Sequence, residues 1–490
     1  MIALLICGLS VFSFASSAAD IAVSGASGDY EMLNVPQIRI TTEEGNGTSL
    51  QKADGYVNAS VNITDTDGSV LEDSVQFKVR GNTTAMESVL KKAYTFKFAK
   101  KKNVLGLGSG KKWALIANAF DPTLLRNVIA NTIAHELDLP YTSNQRFVEL
   151  WVDDSYRGCY GVYEPVQEGK DRVNIDIESN DGMKDFLIEY EAKRVEEDVT
   201  YFTVDGLRFI SGEPETPNED QLNYITSTMT DIIATLKNGS RAEIEEKIDV
   251  DSFAKYYFLN EYVKTFDFDM SSVFFFYQDG KLYAGPAWDY DFSAGNSNDN
   301  LSGQRYKAAT PTTGLYCNQK NMYVNLCDKE WFMEEVEKVY RAHYDFFCDI
   351  YADGGLMDRL YQEYGNIFDR NYAAGNWRVS KWWINIQKQP LSTYQQNFDY
   401  LKNWYSERNL WLTEYFEISD ILGDPDFDGT VTILDATVIQ RRLADLPAAS
   451  YRASAADVDR DGEVTILDAT LIQRYLAYFS TPYEIGKPIA

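Results

Sequence analysis

The chain has 490 residues and is therefore expected to fold as roughly two to four domains. Its 74 acidic residues outnumber its 46 basic residues and give a formal net charge of −28. This surplus disfavours nucleic acids and anionic membranes as partners, because phosphate groups are bound by clustered Lys and Arg. The chain has two histidines, which offers little for a histidine-based hydrolase or a zinc enzyme.

Residues 1–19 have the pattern of a secretion signal. An apolar run over residues 2–15 precedes the small residues Ser17 and Ala19, which suit cleavage at that point. No Lys or Arg precedes the run, which departs from the usual pattern, and the run is shorter than the about 20 apolar residues of a membrane span. We therefore predict a secreted, extracellular protein without a membrane span, in which residues 20–35 form a linker.

Residues 36–415 change along the chain from a strand pattern to a helix pattern. Alternating apolar and polar residues predict strands near residues 37–42, 75–80, 94–98, 147–152, 159–165 and 186–191. Apolar residues at helical spacing predict one helix over residues 124–139, and from about residue 219 the chain is largely helical. This order predicts an α+β fold with a β-rich N-terminal part.

Two acidic clusters flank a predicted β-hairpin. Asp267 precedes an apolar strand, Asp289 and Asp291 follow the next strand, and an Asp279-Gly280 turn lies between them. A hairpin would bring both clusters to one end of a small sheet, where carboxylates could hold Mg²⁺ and assist phosphoryl transfer. The alternative is that these carboxylates are polar turn residues.

Basic residues occur upstream of these clusters. Arg80 opens an Arg-Gly-Asn turn after one strand, and Lys92 and Lys97 flank another. A Gly-rich turn at residues 106–110 follows three lysines, but it lacks the GxxxxGK[ST] pattern of a P-loop. The turn could cradle phosphates or be a solvated hairpin.

Residues 424–437 and 457–470 form an internal repeat that contains two DxDxDG loops, here called the first and second calcium loops. Carboxylates at loop positions 1, 3 and 5 converge when the backbone turns at a glycine in position 6, and Ca²⁺ takes six to eight such oxygens. The alternative is a pair of Asp-rich turns that bind nothing. The expected ligands are Asp424, Asp426, Asp428, Thr430 and Asp435 in the first loop, and Asp457, Asp459, Asp461, Glu463 and Asp468 in the second.

The repeat resembles a type I-like dockerin of cellulosomal proteins over residues 423–480, here called the C-terminal module. The resemblance implies a small all-α module with two F-hand loops, two bound Ca²⁺ ions and a scaffoldin cohesin as partner. Residues 481–490 are expected to be a tail that clasps the module. The expected contact residues on the two helices are Ala436, Thr437, Arg441, Arg442, Ala469, Thr470, Arg474 and Tyr475.

The region before the module resembles the CotH kinase family, the spore-coat protein H type. The matching segments are RGNTT, KKAYTFKF, KKWALIANAFDPTLLRN, YRGCYGVYEPV and a block that ends in GPAWDYDFSAGN, within residues 36–410. The resemblance implies an atypical protein-kinase-like domain, here called the large domain, which uses ATP with Mg²⁺ or Mn²⁺ and acts on a protein substrate.

The resemblance also implies roles for individual residues. Asp267 takes the position of the catalytic aspartate, and Asp289 and Asp291 take the positions of metal ligands. Ser272 replaces the metal-binding asparagine of protein kinases, which is a departure from the pattern. The implied nucleotide contacts are Arg80 and either Lys92 or Lys97, with Glu164 as the partner of that lysine.

Three functions are compatible with these features. The first is a secreted, ATP-dependent protein kinase that is carried on a cellulosome, a polysaccharide-degrading complex. The second is a non-catalytic structural module, or one that binds carbohydrate or protein, on a kinase-like scaffold. The third is glycoside hydrolysis by two carboxylates about 5–9.5 Å apart, and the family resemblance disfavours it.

The cysteines leave one question open. Four of them follow the predicted signal, and none has CxxC spacing. Cys317 and Cys327 could form a disulfide in an oxidising compartment or remain free thiols.

Overall fold

The structure, a computed structural model, describes residues 32–179, 182–192, 196, 199–298, 300, 303–374, 388, 390–447 and 451–489. The predicted secretion signal at residues 1–19 and most of the predicted linker at residues 20–35 lie outside this part of the chain. Within the described ranges, none of the helices has both the length and the apolar character needed to cross a bilayer.

Seven strands near the N-terminus form a closed barrel in the order β1-β2-β3-β4-β5-β7-β6. They are β1 (Gln37–Thr42), β2 (Val57–Thr64), β3 (Val70–Arg80), β4 (Ala93–Asn103), β5 (Ser109–Ile116), β6 (Gln145–Val152) and β7 (Ser155–Tyr163). Strands β1 and β6 pair in parallel and close the barrel. Alternate residues such as Ile38 and Ile40 are buried, and this alternation is the pattern that predicted the strands.

The predicted helix at residues 124–139 is shorter in the structure, where α1 spans Arg126–Glu136 and connects β5 to β6. Leu124 has a φ of +62°, which lies outside the helical region, so the helix begins after it. The carboxylate of Asp121 accepts the backbone N–H of Arg126 at 2.8 Å and satisfies one of the unpaired donors at the start of the helix.

A second, antiparallel sheet has the strand order β11-β12-β10-β13-β14. Its strands are β10 (Phe186–Tyr190), β11 (Tyr201–Val204), β12 (Leu207–Glu213), β13 (Val273–Gln278) and β14 (Lys281–Ala284), after a two-stranded ladder of β8 (Glu178–Ser179) and β9 (Gly182–Met183). The predicted turn joins β13 to β14 through Asp279 (φ +49°) and Gly280 (φ +87°). Positive φ at both central residues is typical of a tight hairpin turn.

Helices follow the second sheet, as the sequence predicts. They are α2 (Glu219–Asn238), α3 (Arg241–Lys247), α4 (Val250–Tyr262), α5 (Gln304–Ala309), α6 (Val324–Cys327), α7 (Glu330–Ala342), α8 (Tyr344–Asp349), α9 (Leu356–Ala374) and α10 (Tyr394–Tyr415). Buried aromatic side chains of α4 pack against α7 and β13, and one continuous hydrophobic core joins the barrel to the helices. The β-rich start and helical end agree with the predicted mixed architecture.

A buried ion pair fastens α10 to α4. Arg408 Nη2 lies 2.8 Å from Glu261 Oε1, and the side chains are 0% and 2% exposed. Glu261 also accepts the backbone N–H groups of Tyr316 and Cys317. Cys317 and Cys327 are both free thiols, so they do not form a disulfide.

The C-terminal module contains α11 (Ile433–Leu443), α12 (Ala453–Ala456) and α13 (Ile466–Leu476). It has its own small core, to which both long helices contribute. The tail contacts the module through Ile485, which belongs to its core, and also pairs with the segment just before the module: Ile421 and Pro488 are bridged in antiparallel fashion, and Leu422 N donates to Lys487 O at 2.9 Å.

Candidate active site and calcium loops

A cavity of about 280 Å³, here called the carboxylate cavity, lies between the barrel and the second sheet. Residues from the end of β3, from the turn after β3 and from the two ends of the β13–β14 hairpin line the cavity. The polar lining residues are Arg80, Asn82, Thr83, Thr84, Asn118, Glu189, Asp267, Ser271, Ser272, Asp289 and Asp291. The hairpin therefore places both acidic clusters at one site, as the sequence predicts.

Backbone hydrogen bonds hold the two acidic segments side by side. Phe266 N donates to Phe292 O at 2.8 Å, and Ala294 N donates to Val263 O at 2.6 Å. Both bonds join the segment just before Asp267 to the segment just after Asp291. The positions of Asp267 and Asp291 are therefore fixed relative to each other by the main chain.

Helix α1 supports the loop that carries Asp289 and Asp291. Asn127 Oδ1 accepts the backbone N–H of Tyr290 at 2.7 Å, and Asn127 Nδ2 donates to Asn118 Oδ1 at 2.9 Å. The Leu-Leu-Arg-Asn segment is thus a support for the loop, a role that its sequence alone did not indicate.

The preceding residue, Arg126, extends this support. Its Nη1 lies 2.6 Å from Asp121 Oδ1, and the two side chains are 2% and 0% exposed. The remaining donors of its guanidinium reach the carbonyls of Ser293 and Ala294 at 3.0 and 3.2 Å. An Arg side chain suits this position because its planar fork can donate to several acceptors at once.

Carboxylates crowd the buried end of the cavity. Asp291 is buried, and burial, followed by the charges of Asp289, Asp267 and Asp121, raises the pKa of Asp291 well above its usual range. Asp289 is exposed and has a φ of +67°, a conformation that residues with a Cβ rarely adopt. Like charges held this closely favour either proton uptake or a bound cation.

Two further polar residues complete this end of the cavity. The backbone N–H of Ser272 donates to Glu189 Oε1 at 2.9 Å, and its hydroxyl donates to Asp289 Oδ2 at 3.4 Å. Glu189 was missed at the sequence level. The available signal was a carboxylate that follows three apolar residues in the strand predicted at residues 186–191.

Arg80, at the end of β3, also lines the carboxylate cavity. Its guanidinium carbon is 5.4 Å from the centre of the Trp288 ring, within the range of a cation–π contact. Among the lining residues that the structure describes, Arg80 is the one cation. It is therefore in a position to meet an anionic group in the cavity.

The two lysines and Glu164 lie outside the carboxylate cavity. Lys92 donates to the carbonyls of Ala85 and Met86, where it stabilises the turn after β3. Lys97 is half-buried on β4, and its ammonium lies 6.0 Å from the Tyr56 ring. The structure does not bring either lysine to the acidic clusters.

Glu164 pairs with an arginine instead of a lysine. Its Oε1 lies 3.6 Å from Arg172 Nε, and both side chains are nearly fully buried. They line a second cavity of about 250 Å³. Burial, only partly offset by Arg172, raises the pKa of Glu164 to about 7.

The carboxylate cavity has a donor set that fits a hard divalent cation. Mg²⁺ and Mn²⁺ prefer carboxylate oxygens, and Asp289 and Asp291 offer them beside Asp267. The raised pKa of Asp291 is the mark of a carboxylate whose charge lacks sufficient compensation. A cation held in the cavity would supply the missing positive charge.

The first calcium loop gathers its carboxylates at one point. Oxygens of Asp424, Asp426 and Asp428 lie within 4.8 Å of one another, and Gly429 has the φ of +89° that the turn requires. Burial and the neighbouring carboxylates raise the pKa of Asp435 to about 7. Its Oδ1 is buried and has no hydrogen-bond partner among the described residues, so the loop offers an oxygen to a cation.

The second calcium loop also gathers three carboxylates, and its position-12 aspartate is one of them. Asp457, Asp459 and Asp468 place oxygens within 4.8 Å of one another, and Gly462 has a φ of +93°. Asp468 Oδ1 accepts the backbone N–H of Val458 at 2.8 Å. Each loop therefore gathers three of its predicted carboxylates and could hold a cation, with positions 1, 3 and 5 together in the first loop and positions 1, 3 and 12 together in the second.

The expected contact surface of the module needs one correction. Ala436 and Ala469 are 0% exposed and belong to the core of the module, so they cannot contact a partner. Each follows the buried aspartate at position 12 and faces the opposite helix. The other expected contact residues are exposed: Thr437, Arg441, Arg442, Thr470, Arg474 and Tyr475.

Comparisons with known proteins agree with this division of the chain. A family model described as CotH kinase protein matches residues 77–412, which is more than half of the chain. A model described as dockerin type I domain matches residues 422–477. No curated protein matches the sequence significantly.

Proposed function

The chain belongs to the CotH kinase protein family and carries a C-terminal type I dockerin domain, and from this premise we propose that its large domain is an ATP-dependent protein kinase. The observation that carries the proposal is the carboxylate cavity, which Asp267, Asp289 and Asp291 line together with Arg80. Phosphoryl transfer needs positioning and charge compensation more than covalent chemistry, and this residue set supplies both.

Asp289 and Asp291 would hold Mg²⁺ or Mn²⁺. Such a cation would supply positive charge that offsets the negative charge of the nucleotide phosphates. Asn127 and Arg126 hold the loop of both aspartates in place before any ligand arrives. Ser272 stands where protein kinases have a metal-binding asparagine, and its hydroxyl contacts Asp289, so it would orient that carboxylate.

Asp267 is the proposed general base. The hydroxyl oxygen of a Ser, Thr or Tyr side chain forms a bond to the γ-phosphorus while the bond from this phosphorus to the β–γ bridging oxygen breaks. The electron pair of the broken bond leaves with ADP, and Asp267 accepts the hydroxyl proton. Arg80, which lines the same cavity, would contact the phosphate oxygens.

The dockerin determines where this chemistry would take place. Dockerin domains bind Ca²⁺ and imply a cohesin as partner, so the protein would be a secreted, scaffold-borne component of a cellulosome. The six exposed contact residues of α11 and α13 would meet the cohesin. The formal net charge of −28 suits an extracellular, Ca²⁺-rich setting and disfavours nucleic acids as substrates.

A second candidate is a binding module that has the kinase-type cavity without its activity. It is favoured by one specific observation: the ammonium groups of Lys92 and Lys97 lie away from the carboxylate cavity, whereas kinases use a lysine on the phosphates. Such a module would bind protein or plant-wall carbohydrate through the same cavity or its rim.

The test is phosphate transfer from labelled ATP with Mg²⁺ or Mn²⁺, either to the protein itself or to cellulosomal proteins. Wild type should incorporate label, and the rate of phosphate transfer should be at least about 100-fold lower in Asp267→Asn, because a general base contributes about 10²–10⁴-fold to the rate. Asp269→Asn is the matched control, because Asp269 pairs with Arg305 and Lys320 outside the cavity. Equal label in wild type and Asp267→Asn refutes the kinase and leaves the binding module.

A further inference from the structure

Phe427 of the first calcium loop packs into the large domain. It stands at loop position 4, between Asp426 and Asp428, and is only 3% exposed. It belongs to the hydrophobic core of the large domain and not to the core of the C-terminal module. The loop that is expected to hold Ca²⁺ is therefore also a contact between the two domains.

The large domain receives Phe427 at the corner between α7 and α8. The Tyr344 ring lies 5.5 Å from the Phe427 ring, and the Arg341 guanidinium carbon lies 5.5 Å from its centre. Arg452 of the module covers the ring at 4.4 Å and also bonds to Asp345 of α8. The ring is thus enclosed by one aromatic side chain and two guanidinium groups.

The internal repeat provides a comparison within the same chain. The second calcium loop has Arg460 at position 4, and this residue is exposed. A Cβ atom on Gly429 would lie 2.8 Å from Arg341 Nε, whereas a Cβ atom on the equivalent Gly462 would meet nothing within 4 Å. The contact with the large domain is therefore specific to the first loop.

We propose that the first calcium loop is a calcium-dependent latch, which fastens the C-terminal module to the α7–α8 corner of the large domain through Phe427. The proposal rests on calcium binding by the dockerin. Loop residues 424–429 would hold the orientation of the ring only while their carboxylates are compensated. The second loop would bind its own Ca²⁺ ion, and that ion would not affect the position of the module relative to the large domain.

The backbone explains why Phe427 depends on the state of its loop. Its φ of +63° is unfavourable for a residue with a Cβ and persists only where the surroundings impose it. The carboxylates of Asp424, Asp426 and Asp428 converge around this residue, and their mutual repulsion opposes the closed loop when no cation is present. Removal of calcium should therefore free the ring from the corner.

Hydrogen–deuterium exchange on the full chain tests the latch. With calcium, the amides of α8 and of residues 424–430 should be protected, and a chelator should accelerate their exchange at least about tenfold. In Phe427→Ala, the amides of α8 should exchange as fast with calcium as those of wild type do with the chelator. Arg460→Ala is the matched control, because it alters position 4 of the second loop, and it should behave as wild type.

A second variant covers the case in which Phe427→Ala disturbs the loop itself. Arg341 lies in the large domain, so Arg341→Ala keeps all calcium ligands. In this variant the amides of residues 424–430 should exchange faster even with calcium, while calcium titration should still find two bound Ca²⁺ ions. Unchanged exchange of α8 in both variants overturns the latch. Failure of wild type to bind Ca²⁺ would instead refute the calcium assignment on which the latch rests.

Discussion

Asn127 Oδ1 and the backbone N–H of Tyr290 form a hydrogen bond of 2.7 Å across 163 residues of sequence. The donor lies between Asp289 and Asp291, the two residues proposed to hold the metal. A side chain at the start of α1 thus determines the course of the loop on which the proposed chemistry depends.

Replacing Asn127 by Ala should weaken metal binding and stability together. The buried N–H of Tyr290 would lose its acceptor, which costs about 1–3 kcal/mol of unfolding free energy. Urea unfolding and Mn²⁺ titration in the presence of ATP measure the two effects. Asn131→Ala is the control, because Asn131 is also buried on α1 but bonds to Ser143 O. Both variants should lose stability, and only Asn127→Ala should lose Mn²⁺ affinity; equal Mn²⁺ affinities would contradict the assigned role.

Asp121→Ala should destabilise the large domain severely. It leaves Arg126 buried without its carboxylate, and breaking a buried pair in this way costs about 3–5 kcal/mol. Urea unfolding monitored by Trp fluorescence gives the difference. Arg359→Ala removes the exposed pair with Asp349 and should cost less than about 1 kcal/mol. Similar losses in the two variants would mean that the buried pair does not anchor the loop.

The calcium loops and the β13–β14 hairpin could be predicted from patterns that are local in the sequence. The calcium loops could be located because ligand spacing, the turn glycine and the start of the following helix all lie within 14 residues of sequence. The β13–β14 hairpin could be located because its turn has a specific chemistry, and the hairpin then determines where Asp267 and Asp289 meet.

Contacts between distant segments could not be predicted in this way. Glu189 reaches the cavity because β10 pairs with β13, and no local pattern specifies that pairing. The carbonyls that bind Lys92 belong to a turn whose path depends on the whole barrel. The burial of Phe427 depends on how two domains pack, whereas its neighbours in sequence indicate an exposed loop.

The unfolding free energy should depend on pH through Glu164. Its pKa rises from 4.5 to about 7 on folding, chiefly by burial. The folded state therefore binds more protons than the unfolded state between these values, and stability falls as pH increases through that window. Chemical unfolding at about pH 5 and about pH 8 gives the unfolding free energy at both ends of this window, and the difference between the two values should be smaller in Glu164→Gln than in wild type. Glu168→Gln is the control: Glu168 is an exposed residue of the same segment, and this variant should keep the wild-type difference. An unchanged difference in Glu164→Gln would contradict the burial effect.

Each calcium loop should lose its ion independently. Asp435→Asn removes a buried ligand oxygen of the first loop and should lower Ca²⁺ affinity at one of two sites by at least about 100-fold. Asp468→Asn should do the same at the other site. Calorimetric titration separates the sites, and chelation of wild type should abolish cohesin binding. Two intact sites in either variant would contradict the ligand assignment.

The most direct test of the proposed kinase activity is a crystal structure with a non-hydrolysable ATP analogue and Mn²⁺, recorded at a wavelength where manganese scatters anomalously. We expect the anomalous peak between Asp289 and Asp291 and the γ-phosphate directed towards Asp267. A nucleotide bound elsewhere, for example beside Glu164 and Arg172, or an empty carboxylate cavity at saturating nucleotide, would contradict the proposed function.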